Sequence, residues 1–185
     1  MRRQGATRLV ALLVALLSAG CASSQRPGSL PDGEACDEGG RSTPACDYAL
    51  AIALGLQARD HPSTARGALG QMVLLLRRAA LAEPDLDRAG PDRVLALVLL
   101  RAPGWPLGPG DPEEALVVAG RAAARFPDYA PNQLALFEAL AANGEPVAAR
   151  AAANRALALA ESAAAAGVPE AAEWVREART RASQE

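Results

Sequence analysis

Apolar residues are distributed along this chain in three ways. From Leu9 to Leu17 they run unbroken behind Arg2, Arg3 and Arg8. From residue 22 to about 44, Ser, Gly, Pro and Asp dominate and no apolar period appears. From Cys46 onward apolar positions recur at helical spacing, punctuated by proline and glycine. Helices are predicted over 46–59, ended by Asp60-His61-Pro62, and from Ser63 or Thr64, either of which can cap the next helix, to about Glu83 before Pro84. Pro91 opens a third (91–102), and Asp111-Pro112 a fourth (112–125), with Asp as N-cap and Pro in the first turn. Pro131 opens a fifth, to 142, and Asn143-Gly144 closes it. A sixth runs from Pro146 to about Ala166, with Gly167 at its C-terminal cap, and Pro169 starts a seventh.

Self-similarity decides how such helices are arranged. Ala115, Ala119 and Ala122 are followed five residues later by Pro127. Ala149, Ala153 and Ala156 repeat the spacing before Glu161, and Met72, Leu76 and Ala79 repeat it before Pro84. Ala115 and Ala149 are 34 residues apart. This register resembles the tetratricopeptide repeat, in which small residues sit where helices A and B touch. Leu136, Leu140 and Gly144 stand where that family places helix A residues, whereas Phe137 departs from its small residue. The expected fold class is therefore all-α: a tetratricopeptide-like array of three helix pairs (about 46–83, 91–126 and 130–166) with a capping helix at 169–183. The spacing from Met72 to Ala115 exceeds one period, and the excess falls mostly in the loop 102–111. The stretch APGWPLGPGDPEEAL, with Asp87-Arg88-Ala89-Gly90-Pro91 before it, is similar to bacterial repeat lipoproteins of the T-component kind associated with TRAP-type transporters. That likeness covers about residues 64–160 and implies a periplasmic helper or solute carrier.

The N-terminal pattern is that of a secretory signal. Its apolar run is too short for a transmembrane helix, which needs about 20 residues. Leu17-Ser18-Ala19-Gly20-Cys21 resembles the lipobox of bacterial lipoproteins, although Ser18 stands where Leu is commonest. The resemblance implies cleavage after residue 20, a diacylglyceryl group on Cys21 and an acylated new N-terminus. It also implies a place in the bacterial cell envelope, and Ala22 favours the outer membrane, facing the periplasm. An ordinary cleaved signal is the alternative. The domain plan is thus a signal at 1–20, a lipidated cysteine and tether at 21–45, and a helical domain at 46–185.

Composition supports this plan. Without the three signal arginines, 16 basic residues face 21 acidic ones, a net charge of −5, so no basic face for nucleic acid is expected. Aromatics make up 3% of the chain, and alanine and leucine are strong helix formers. Cys36 and Cys46 suit a disulfide in an oxidising compartment better than a zinc site, which wants about four ligands. His61, alone in an inter-helix turn, lacks the partners of an acid–base mechanism. Gly104, Gly108 and Gly110 do not form a phosphate cradle, and Glu113-Glu114 complement a helix dipole. No enzyme activity, cofactor or metal is expected.

Trp105 and Leu107 are expected to fold back over the apolar helix Val94–Leu100, or else to rim a groove for a partner or ligand. Arg93, Arg101, Leu134, Phe137 and Glu138 are candidates for exposed positions on the same A-helix surface. Trp174 is read as a cap for the end of the core and Tyr129 as packing at a repeat boundary. The expected function is a lipid-anchored protein-interaction scaffold, held at the membrane by acyl chains. The alternatives are a carrier of a small organic solute and, less supported, a hydrolase.

Overall fold

The computed structural model describes residues 43–60 and 65–183. It contains seven helices: α1 (Pro44–Asp60), α2 (Ala65–Ala82), α3 (Gly90–Arg101), α4 (Pro112–Arg125), α5 (Ala130–Ala142), α6 (Pro146–Ala165) and α7 (Ala171–Ala182). Among the described residues the only extended pairing is an isolated bridge between Gly104 and Gly110. The helices begin and end close to where proline, aspartate and glycine place them. Asp111 caps α4, its carboxylate accepting from the Glu114 amide at 2.9 Å. Gly144 and Gly167 turn left-handed after α5 and α6, with φ of 76° and 79°. Two starts differ from expectation. α1 begins at Pro44, because the Thr43 hydroxyl accepts from the Cys46 amide at 3.2 Å and caps it. α7 begins at Ala171, since Val168–Glu170 form a turn first.

Consecutive helices pack as pairs, α1 on α2, α3 on α4 and α5 on α6, and α7 closes the array against α6. Each second helix also packs on the first helix of the next pair, and α3 touches α5. The nine register positions from Met72 to Ala156 are all buried, none more than 5% exposed. Alanine there lets two helix backbones approach closely, and in the first pair the larger Met72 is accommodated against Gly55 of α1. Leucine in place of Ala153, which is fully buried, should therefore cost about 1–3 kcal/mol through overpacking. The same change at exposed Ala158 should be nearly neutral, and urea unfolding of the two variants measures the difference.

A charged repeat overlies the apolar one. In each B helix an arginine directly precedes the third register residue: Arg78, Arg121 and Arg155. Arg78 and Arg121 each hold a buried carboxylate near the start of the partner helix with two nitrogens, Asp47 and Asp92 respectively. The Arg121 contacts are 2.7 and 2.5 Å. In the third pair Asn132 stands near the start of α5, and Arg155 instead reaches the Pro127 carbonyl and Asp128. Planar two-point contacts of this kind fix orientation as well as distance.

Candidate functional site

Between the first and second pairs the packing leaves an open groove of about 470 Å³. Gly55 of α1, Leu69 and Met72 of α2, and Val94, Leu97 and Val98 of α3 line it. Arg59 and Arg101 stand at its solvent side, their side chains 71% and 60% exposed. α3 explains the apolar lining. Leu95, Ala96, Val98 and Leu99 are buried, while Val94, Leu97 and Leu100 are only half-buried because α3 is apolar on more sides than its neighbours cover. Arg59 is paired with Asp60 at 2.9 Å and Arg101 with Glu138 at 3.0 Å, so both cations are partly neutralised in place.

The loop after α3 does not cover this helix. Trp105 is 90% exposed and Leu107 64% exposed, which corrects the expectation that they fold back. The loop closes on itself instead. The Leu107 amide donates to the Gly104 carbonyl at 2.9 Å, Gly110 to Pro103 at 2.8 Å, and Asp111 to Leu99 at 2.9 Å. Gly110 is required there, because a Cβ would collide with the Ala102 carbonyl oxygen and lie 2.9 Å from Pro103. The Pro106 carbonyl accepts from Arg66 at the start of α2. Backbone closure thus leaves Trp105 at the tip, and α3 takes its cover from α2, α4 and α5.

The remaining candidates do not share one surface. Leu134 and Phe137, expected on the exposed side of α5, are buried at 6% and 9% exposure. Leu134 packs with Ala156 and Ala178, so α7 covers it, and Phe137 enters a hollow formed by Ala149, Ala152 and Ala153 of α6. The small side chains that identify the register also make room for that ring. Glu138 accepts from Arg101 at 3.0 Å and from Arg181 at 3.2 Å, tying α3, α5 and α7 together. Arg93 turns inward, donating to Asp87 at 2.7 Å and to Asn132 at 3.0 Å. Of the seven candidates, Arg101 alone lines the groove. Cys46 is disulfide-bonded, and no other cysteine lies within the described residues. Cys21, Cys36 and His61 lie outside them.

A second constellation was missed by sequence reasoning. Asp87, Arg88 and Ala89 form a left-handed turn, with φ of 47°, 53° and 62°. Such conformations cost non-glycine residues of order 1–2 kcal/mol each, so the surroundings must impose them. Tyr48 donates to Asp87 at 3.0 Å and Asn132 to the Arg88 carbonyl at 3.1 Å. The guanidinium groups of Arg88 and Arg93 lie 4.9 and 5.1 Å from the centre of the Tyr129 ring. Trp174 meets that ring edge-on at 5.4 Å, which gives both aromatics the boundary and capping places expected of them. No glycine or asparagine marks residues 87–89 as left-handed, so only the following Gly90 hints at the crowding. A Cβ at Gly90 would lie 2.6 Å from the Tyr48 hydroxyl.

Burial, and then the Asp87 charge, push the Tyr48 phenol well above its ordinary range. Tyr129 is raised too, first by burial. A raised folded-state pKa keeps the proton on the native protein while the unfolded chain loses it near pH 10. Stability should therefore fall as pH rises above about 10, and Tyr48→Phe should flatten part of that decline in urea titrations at stepped pH. The polar groups of the cluster are engaged in holding the turn, the Asp87 carboxylate accepting from both Tyr48 and Arg93. Among the described residues no group of three metal-ligating side chains converges, and no helix is long and apolar enough to cross a membrane. Comparison with known protein families and with curated proteins gives no match to this chain.

Proposed function

We propose that this chain is a lipid-anchored, periplasm-facing array of tetratricopeptide-like helix pairs that serves as a protein-interaction scaffold. The reading rests most on the open groove between the first two pairs, where half-buried Leu97 and Val94 leave apolar surface accessible. The contacts of Arg78 with Asp47 and of Arg121 with Asp92 fix the helix pairs on either side of it. A photo-crosslinking residue at Leu97, introduced in intact cells, should capture one reproducible envelope protein. The same residue at Ala158, on the exposed side of α6, should not. Capture from both positions alike, or from neither, would contradict the scaffold reading.

A second reading is favoured by the size of the groove. About 470 Å³ lies in the range of small-molecule sites, and on this reading Arg59 and Arg101 at the mouth exchange Asp60 and Glu138 for a ligand carboxylate. On this reading the chain is a periplasmic carrier or helper for an organic acid, of the T-component kind associated with TRAP-type transporters. A rise in melting temperature with organic acids, abolished by Leu97→Glu, would select it over the scaffold. An unchanged melting temperature across mono- and dicarboxylic acids would remove it.

A further inference from the structure

The start of α2, the α3–α4 loop and the end of α5 lie at one end of the array. Arg66, at the start of α2, bonds the Pro106 carbonyl in the α3–α4 loop, and Asn143, at the end of α5, donates to the Pro112 carbonyl of α4 at 2.8 Å. That end gathers exposed apolar side chains: Trp105 at 90%, Leu107 at 64% and, in the first turn of α6, Val147 at 85%. Leu56, near the end of α1, is 50% exposed. Trp105 and Leu107 sit on a projecting loop held by its own backbone hydrogen bonds, so no core residue competes for them. A tryptophan ring with an apolar body and a polar N–H belongs at the boundary between headgroups and acyl chains.

Pro44, where the chain leads back toward Cys21, lies at the other end of α1. A helix of 17 residues is about 25 Å long. With Cys21 acylated, Cys36 is the partner left for the disulfide of Cys46, so the free tether is residues 22–35. It spans at most about 50 Å, twice that length, and a chain fixed to lipid at Cys21 can still bring the loop end down onto the bilayer. Tethering makes the encounter intramolecular, which lets a small contact suffice. Charge does not drive it. Arg59, Arg66, Arg101 and Arg150 at this end are balanced by Asp60, Asp111, Glu113, Glu114 and Glu145.

We propose that the loop 103–110, led by Trp105 and Leu107, is a second contact with the lipid bilayer that stands the array end-on against the membrane. The contact rests on the lipid-anchor reading for its tether, and it is driven by the aromatic and apolar tip. Its occupant is therefore a zwitterionic lipid surface, and the contact is insensitive to salt.

The test measures tryptophan emission of the anchored full chain on phosphatidylcholine–phosphatidylethanolamine vesicles, for wild type and Trp105→Phe. The difference between the two reports Trp105 and is set against half-buried Trp174. Trp105 should lose most of its quenching by aqueous iodide and gain quenching by brominated phospholipid, at low and high salt alike. Two anchors are used: native lipidation, and a histidine tag replacing residues 1–21 on nickel-chelating lipid. Docking with the tag but no acyl chain on native Cys21 would leave the contact standing and remove the anchor reading. Full iodide access on vesicles with both anchors would overturn the contact. Protection that requires anionic lipid, or that appears only when envelope proteins are added, would overturn it as well.

Discussion

Replacing Asn132 with alanine should lower the unfolding free energy by about 2–4 kcal/mol, from lost buried hydrogen bonds and the small cavity left behind. Asn132 is fully buried, and its amide nitrogen donates to the carbonyls of Ala122 and Arg88, both at 3.1 Å. Its oxygen accepts from Arg93 at 3.0 Å. One side chain thereby joins the end of α4, the left-handed turn at 87–89 and the start of α5. Without it, Arg93 loses an acceptor in a half-buried site and the turn loses a restraint against its own strain. Asn143→Ala is the comparison. Asn143 also donates to two carbonyls at 2.8 Å, but it is only half-buried, so water replaces much of what is lost and the cost should stay near 1 kcal/mol. Urea denaturation of the two variants checks the contrast. Hydrogen exchange should show faster opening of residues 85–90 in Asn132→Ala, and equal costs for both variants would remove Asn132 from this role.

The helices were legible because their signals are local. Pro112 and Pro146 start helices, Gly144 and Gly167 follow them, and the four-then-three spacing of small residues marks a buried stripe that does not depend on distant neighbours. The exposed face was harder to read on α5, which is apolar around most of its circumference. Whether Leu134 or Phe137 faces water depends on α7 and on the alanine hollow in α6, and neither leaves a mark within α5 itself. Trp105 was misplaced for a related reason. An apolar helix beside a tryptophan suggests cover, whereas the loop's geometry is set by backbone bonds among Pro103, Gly104, Leu107 and Gly110, which have no periodicity. The left-handed turn is held by Tyr48, 39 residues from Asp87, and by Asn132, 44 residues from Arg88, and neither glycine nor asparagine occurs at 87–89 to mark it. The arginines before Ala79, Ala122 and Ala156 do recur in sequence, and they point to their acidic partners once the helix pairs are known.

The second large effect concerns Cys21. On the proposed reading, Cys21→Ser should abolish acylation completely. A serine hydroxyl cannot supply the sulfur for the thioether, and cleavage before residue 21 in lipoproteins depends on that modification. Growth with labelled fatty acid should give a labelled band for the wild-type chain and none for the variant, which should accumulate as an uncut precursor. Cys36→Ser and Cys46→Ser should keep the label, because their sulfurs are outside the lipobox. More than one acyl chain is needed for durable membrane binding, so loss of the cysteine removes the anchor as a whole. The end-on contact through Trp105 would then have no tether to raise its local concentration.

Anchoring at Cys21 is the premise shared by the scaffold, the carrier and the second membrane contact. Mass spectrometry of the mature N-terminal peptide tests it most directly. The account predicts a chain that begins at Cys21 and carries a diacylglyceryl thioether and an N-acyl group. A chain that retains Met1, or begins elsewhere with an unmodified Cys21, would contradict it.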